Sequence, residues 1–247
     1  MPASFVPRYR LVTNRPANPV TMATMAAPEQ VMRAGLVGVR GPERRLVWAL
    51  WIIVSVVGAA LGAIPAWEIR SRAFVAPILE QQLAVYAATV VSAFITAGAQ
   101  WLVLRKSRVD AFWWVPATVA ANLLAAVIVV PAIVTVALRG VSPINSNTAV
   151  IFGTITLATW GLVVGTAQTL VFRKTVGNRA WLWLTATLPG YALAGAVTSA
   201  LSPAEFDAVI RYGLPIFAIV SLSNAIGALL TSACQAPILA RYLFRPR

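Results

Sequence analysis

The most regular feature of this chain is a series of long segments that contain no charged residue. Gaps in Asp, Glu, Lys and Arg lie at 46–67, 81–104, 111–138, 140–172, 180–204 and 212–240. Each contains at least the roughly 20 apolar residues that an α-helix needs to cross about 30 Å of hydrocarbon. The pattern therefore predicts an all-α membrane protein with six transmembrane helices, and a short extra helix at 203–211 near the outer surface. The predicted spans are about 46–66, 83–104, 112–137, 149–172, 181–200 and 212–239.

The even-numbered predicted helices share a motif that ends in glutamine and a basic cluster. The segment AGAQWLVLRK at 97–106 recurs as GTAQTLVFRK at 165–174, and a weaker copy ends at Gln235. Small residues lie three and seven positions before each glutamine, at Ala93 and Ala97, Gly161 and Gly165, and Ala228 and Ser232. An internal repeat of this kind predicts that helices are duplicated in the fold.

The odd-numbered helices share a second motif, in which tryptophan is followed by Ser or Thr at +4 and by small residues at +7 and +11. The copies are Trp51, Ser55, Gly58 and Gly62; Trp114, Thr118, Ala121 and Ala125; and Trp183, Thr187, Gly190 and Ala194. These spacings lie on one face of a helix, and small residues on such a face let membrane helices pack closely. The two motifs together predict three related helical hairpins. The tryptophans begin their helices, where an amphipathic ring suits the membrane–water interface.

Polar side chains inside the predicted spans have more than one interpretation. Gln100, Gln168 and Gln235 bond to neighbouring helices, line a cytoplasmic vestibule or bind a partner helix. Asn122 and Asn224 either cross-link helices or line a site for a small neutral ligand. Leaving such groups unpaired in hydrocarbon is costly, so each interpretation gives them partners.

The charged residues predict the orientation. The net charge is +13, and with the N-terminus inside only four of the 20 Lys and Arg lie outside, at Arg70, Arg72, Arg139 and Arg211. This bias predicts that both termini are cytoplasmic, and it explains the positive charge without nucleic acid. The Pro-rich basic tail at 1–45 lacks the apolar core of a secretory signal, and we expect it to dock on a partner or on cytoplasmic loops. The transmembrane domain is then 46–247.

Several kinds of chemistry have no residues to perform them in the predicted spans. Histidine is absent, Cys234 is the only cysteine, and no acidic or basic residue lies within a span. Proton relays, metal sites and His-ligated haem or chlorophyll need such groups. We therefore expect a protein that is not an enzyme and has no tightly held cofactor, although contact with a lipid, carotenoid or quinone stays open.

The segment from Gly98 to Trp114 contains Gln-Trp-Leu-Val-Leu-Arg followed by Trp-Trp. It resembles a group of uncharacterised bacterial multi-pass membrane proteins that repeat a glycine-rich helix ending in Gln-Trp-x-x-Leu-Arg. The second copy departs from that motif, because Thr169 replaces the tryptophan. The resemblance implies a bacterial cytoplasmic membrane and a hairpin-repeat fold, and no activity.

Two functions are compatible with these patterns. The first is a non-catalytic accessory or structural subunit, which contacts lipids and other subunits of a larger complex in the cytoplasmic membrane, such as an energy-converting one. The alternative is a facilitator or binding protein for a neutral or lipidic small molecule such as a quinone, carotenoid or phospholipid, with its site near Asn122 and Asn224.

Overall fold

The protein is helical throughout nearly all of the residues that the computed structural model describes, which are 41–105, 111–138 and 146–243. They belong to the unit Val39–Arg247. Residues 1–40, and with them most of the basic tail, lie outside the described residues. The helices are α1 Gly41–Arg72, α2 Ile78–Leu104, α3 Trp114–Leu138, α4 Ser146–Val176, α5 Trp181–Tyr212 and α6 Ile216–Ile238. Turns of 3-10 helix lie at Ala111–Trp113 and Gly177–Ala180, and a π-helical turn, Leu239–Leu243, follows α6.

Several of these helices are long and apolar enough, by length and composition, to cross a membrane. Within the described residues the stretches that qualify are Arg45–Arg72, Ile78–Leu104, Ala111–Thr135, Asn147–Ala204 and Ile216–Tyr242. The fourth has 58 residues and contains both α4 and most of α5. The chain turns between these two helices at Gly177, whose φ of 61° is a left-handed conformation that glycine adopts without steric cost.

The helix ends extend beyond the charge-free segments. Helix α1 continues to Arg72, and residues 203–211 are the last turns of α5 instead of a separate helix. Ion pairs one turn apart stabilise both polar ends, with Arg72 bonded to Glu68 at 2.8 Å and Arg211 to Asp207 at 2.6 Å. Charge-free segments therefore predict the apolar part of a helix but not its charged ends. Helix α6 accordingly starts at Ile216, four residues later than predicted.

The six helices of the described region form a closed ring. Each packs against its neighbours in the chain, and α6 packs against α1. Helices α4 and α5 run antiparallel, because a Cβ on Gly161 would lie 2.6 Å from Tyr191 and one on Gly165 would lie 3.1 Å from Thr187. The ring leaves an axis at its centre that no helix occupies.

The predicted small-residue faces lie at contacts between helices. A Cβ on Gly58 would lie 3.1 Å from the Cα of Thr96, and one on Gly62 3.1 Å from the Cα of Ser92, both on α2. A Cβ on Gly190 would lie 2.9 Å from the Cα of Thr231 on α6. The alanines at the corresponding positions, Ala121, Ala125 and Ala194, are buried. Close approach of backbones is the main source of attraction between helices in lipid, so these contacts hold the ring together.

Candidate functional site

Three tryptophans from alternate helices meet at one end of the ring. The ring centroids of Trp51, Trp114 and Trp183 are 5.6 to 5.9 Å apart, and every pair has edge-to-face geometry. Phe172 stacks on Trp114 at 5.1 Å and contacts Trp183 at 4.8 Å. Aromatic pairs of this geometry each contribute about 0.5–1.5 kcal/mol beyond the area they bury. We call Trp51, Trp114 and Trp183 the tryptophan layer.

The burial of the tryptophan layer corrects one expectation from the sequence. The exposed fractions of the three residues are 0%, 0% and 1%, so their rings face the interior of the ring of helices instead of lipid or water. They fill the axis of the ring, together with Leu104, Phe172 and Leu239. Each tryptophan lies at the start of its helix, which predicted contact with the membrane–water interface. Because the helices close into a ring, the three equivalent positions meet at its axis instead.

A layer of three glutamines lies one turn further along the axis. Gln100 Nε2 donates to Ser55 Oγ at 3.0 Å, Gln168 Nε2 to Thr118 Oγ1 at 3.2 Å, and Gln235 Nε2 to Thr187 Oγ1 at 2.9 Å. Each bond joins an even-numbered helix to the Ser or Thr of the helix before it, and all six residues are buried. We call Gln100, Gln168 and Gln235 the glutamine layer.

The three glutamines differ in their contacts with the tryptophan layer. Trp183 Nε1 donates to Gln168 Oε1 at 2.9 Å, so Gln168 connects α3, α4 and α5. The Nε1 atoms of Trp51 and Trp114 are buried and have no hydrogen-bond partner among the described residues. The repeat therefore determines where the side chains lie but not every bond they make.

A cavity of about 480 Å³ extends along the axis from the glutamine layer. Side chains from all six helices line it, and the glutamines form its floor. Its wall combines alanines with a larger number of polar side chains. These lining residues include Ala59, Ala63, Ala66, Ala88, Ala93, Ala194, Ser92, Thr96, Thr198 and Tyr191. Ligand sites have volumes of roughly 300–1,000 Å³, and this cavity falls within that range while carrying more polar side chains on its wall than such sites usually do.

The two asparagines line this cavity but have different partners. Asn122 Oδ1 accepts a hydrogen bond from Trp160 Nε1 at 2.8 Å, which links α3 to α4, and its Nδ2 donates to the carbonyl of Thr118 at 2.8 Å. Asn224 is exposed, and its Nδ2 donates at 2.8 Å to the carbonyl of Val220 on its own helix. Asn122 therefore cross-links helices, whereas the bond of Asn224 stays within α6.

Arg70 is a cavity residue that sequence reasoning missed. Its side chain is the one charged group among the described residues that line the cavity. The charge-free segment ends at 67, which predicts that Arg70 lies outside the apolar span, whereas the helix α1 continues past it. Trp160 and Tyr191 were also missed, since neither belongs to the repeated motifs. The position of Arg70 one turn beyond Ala66, on the alanine face of α1, is a signal that could have identified it.

A second cavity lies along the contact between α3 and α4. Its volume is about 720 Å³, and it is lined by residues of these two helices together with Trp113, which directly precedes α3. Small residues form much of its wall, at Ala117, Ala120, Ala121 and Ala167, and Lys174 lies at one end. On α3, alanines occupy the places that glycines occupy on α1, and one of them, Ala121, lines the groove.

These features define a class of protein: a helical protein with several helices that are long and apolar enough to cross a membrane, arranged around an axial cavity. Comparisons with protein-family models, with curated proteins and with solved structures find no match to this chain. The site must therefore be interpreted from its own residues. Among the described residues, no group of three or more His, Cys, Asp or Glu side chains could hold a metal ion.

Proposed function

We propose that this chain is a non-catalytic membrane protein that binds a neutral or lipidic small molecule in its axial cavity. The observation that carries the proposal is the cavity itself, which is lined from all six helices and ends at the glutamine and tryptophan layers. The alanines in its wall suit an apolar body, and Asn122, Thr96 and Ser92 offer hydrogen bonds to a polar group. A quinone, a carotenoid end group or a lipid chain fits this description.

We also propose the topology in which this function operates. The chain crosses the membrane six times as three copies of one hairpin, with both termini in the cytoplasm of a bacterium and the tryptophan layer near the inner surface. The glutamine bonds support this arrangement, because each of the three joins the two helices of one hairpin. The excess of Lys and Arg on the segments at that end supports the orientation.

Filling the cavity tests the binding function. Ala88 is buried and lines the cavity, whereas its neighbour Ala87 is exposed on the outside of the same helix. We expect Ala88→Leu to abolish retention of the bound molecule and Ala87→Leu to leave it unchanged. Both replace alanine by leucine in α2, so helix propensity is matched. Small molecules that co-purify with each variant in mild detergent would be quantified by mass spectrometry of the extract.

Two further variants separate ligand contact from folding. Ala228→Leu fills the cavity from α6 and should also abolish retention if Ala88→Leu acts through occupied space. Asn122→Ala and Asn224→Ala together should weaken retention if their amides contact the ligand. Equal retention in the wild type and in both cavity-filling variants, each shown to be folded by circular dichroism, would rule out the axial cavity as the binding site.

The second candidate function is an accessory subunit of a larger membrane complex. The α3–α4 groove favours it, because its alanines would admit a transmembrane helix of a partner subunit at close range. Purification in mild detergent should then co-isolate partners in stoichiometric amounts, and Ala120→Phe, at an exposed position in the groove, should release them. Isolation of only a lone monomer under these conditions would contradict this function.

A further inference from the structure

Among the described residues that line the axial cavity, Arg70 is the one charged residue. The guanidinium of Arg70 is partly buried, and its Nε donates to the carbonyl of Ala66 at 3.3 Å. A guanidinium carries five N–H donors in a planar fork. Within the described part of the chain, its four other donors form no hydrogen bond and are available to an acceptor.

No described carboxylate neutralises Arg70. The nearest acid on the same helix, Glu68, is engaged by Arg72, with Nη2 at 2.8 Å and Nε at 2.9 Å from the same carboxylate oxygen. Among the described residues, ion pairs are formed by Arg72 with Glu68 and by Arg211 with Asp207. A partly desolvated cation without a partner favours an anionic ligand, and carboxylate and phosphate match the guanidinium fork in geometry.

On α1, the face that leads from Arg70 into the cavity carries alanines. Ala59, Ala63, Ala66 and Arg70 are spaced by four, three and four residues, which places them along one face of α1. All four line the cavity, so a stripe of methyl groups leads from the cation toward the glutamine layer. The site thus has a cation at one end and, leading away from it on α1, a row of three alanines that we call the alanine stripe.

We propose that the molecule bound in this cavity is an amphiphile with a single anionic head, a carboxylate or phosphate, that binds Arg70 while its apolar body lies along the alanine stripe. This inference rests on the proposed binding function and adds the chemical class of the ligand. It distinguishes Arg70 from Arg72 in function, although both are arginines in the last turn of α1.

The experiment compares a charged and a neutral probe of the same length. Full-length protein in nanodiscs of zwitterionic lipid is titrated with dodecanoate and with dodecanol at a pH where the carboxylate is ionised. We expect the wild type to prefer dodecanoate by roughly 10- to 100-fold, as charge-assisted hydrogen bonds imply. Arg70→Gln should reduce that preference to near one, and Arg70→Lys should give an intermediate value, because lysine keeps the charge without the fork.

Arg72→Gln is the matched control, since it removes the same charge from the same helix turn but from an exposed side chain. It should keep the preference, which excludes a general effect of surface charge on anion binding. A preference that survives in Arg70→Gln, or one that Arg72→Gln also abolishes, overturns the assignment to Arg70.

The neutral probe separates this inference from the function on which it rests. If dodecanol binds and Ala88→Leu blocks it while dodecanoate binds no better, the cavity binds ligands and the anionic head is wrong. If neither probe binds, the proposed function itself fails. Competition by phosphatidylglycerol, with phosphatidylcholine as control, then identifies the source of the head group: displacement of dodecanoate indicates a membrane lipid, and its absence a free fatty acid.

Discussion

Gln168 should be the most sensitive position of the glutamine layer. Its amide donates to Thr118 and accepts from Trp183, so replacing it by leucine breaks two interhelical bonds and leaves an indole N–H buried without a partner. Interhelical hydrogen bonds in membranes average roughly 0.6 kcal/mol, and a buried orphaned donor costs about 1–3 kcal/mol. Gln168→Leu should therefore reduce the free energy of unfolding by roughly 2–4 kcal/mol.

Gln100→Leu provides the comparison within the same layer. The amide of Gln100 donates to Ser55, and the indoles of Trp51 and Trp114 have no partner to lose among the described residues. The expected cost is the single bond, roughly 0.6 kcal/mol. Unfolding of the purified full-length protein by SDS in mixed micelles, followed by tryptophan fluorescence, would measure both values.

A double-mutant cycle of Gln168→Leu with Trp183→Phe isolates the bond between these two side chains. Phenylalanine keeps an aromatic ring in the tryptophan layer and removes the N–H donor, so the coupling free energy should be roughly 0.6–1.7 kcal/mol. Equal costs for Gln168→Leu and Gln100→Leu, together with a coupling near zero, would refute the assignment of Gln168 as the connecting residue.

Three further changes test the ring and the cavity. Gly195→Ala should destabilise the protein by about 1–3 kcal/mol, because the new Cβ would overlap the α4 backbone. Gly227→Ala should change the stability little, because the nearest atom to its new Cβ is 3.8 Å away. Equal costs for the two substitutions would contradict the close α4–α5 contact. Gly177→Ala should cost about 1–2 kcal/mol in the same unfolding assay. The cost comes from the φ of 61° alone, since no atom lies within 4 Å of the new Cβ. An unchanged stability would argue against this turn. Trp160→Phe should lower ligand retention in the extraction assay by freeing Asn122, and full retention would exclude that role.

The helices were predictable because their cause is local. A charge-free segment of sufficient length has to be helical in lipid, where each backbone polar group needs a partner within its own segment. The polar ends were not predictable in this way, since Glu68 with Arg72 and Asp207 with Arg211 stabilise helix beyond the apolar limit.

The candidate site was predictable in its residue types and not in its geometry. The repeats identified the glutamines and tryptophans, because equivalent positions in repeated helices face equivalent surroundings. Whether Trp51 faces the interface or the axis depends on how the ring closes, which is set by contacts between segments distant in sequence. Arg70 and Trp160 have no counterpart in the repeat, so their part in the cavity depends on the fold alone.

The repeat explains the sealed floor of the cavity and not its walls. Each copy contributes one tryptophan, and three copies bring three bulky rings to one level of the axis, which they fill. The small residues at +7 pack against neighbouring helices, whereas the cavity wall beyond the floor is formed by the residues at +8, which are Ala59, Asn122 and Tyr191. The side chains at +8 differ among the three copies, so the repeat builds the floor and leaves the character of the wall to each helix.

A floor of this kind favours holding a molecule over conducting one. Passage along the axis would require the three ring pairs of the tryptophan layer to separate, at about 0.5–1.5 kcal/mol for each pair, and the three glutamine bonds to break. Entry from the end that carries Arg70 breaks none of these contacts. A molecule that enters there meets the cation first and the alanine stripe next, and it stops at Gln100, Gln168 and Gln235. The order of these groups along the axis is the order in which an amphiphile with its head at the surface would need them, which is why we favour a receptor for such a molecule over a channel.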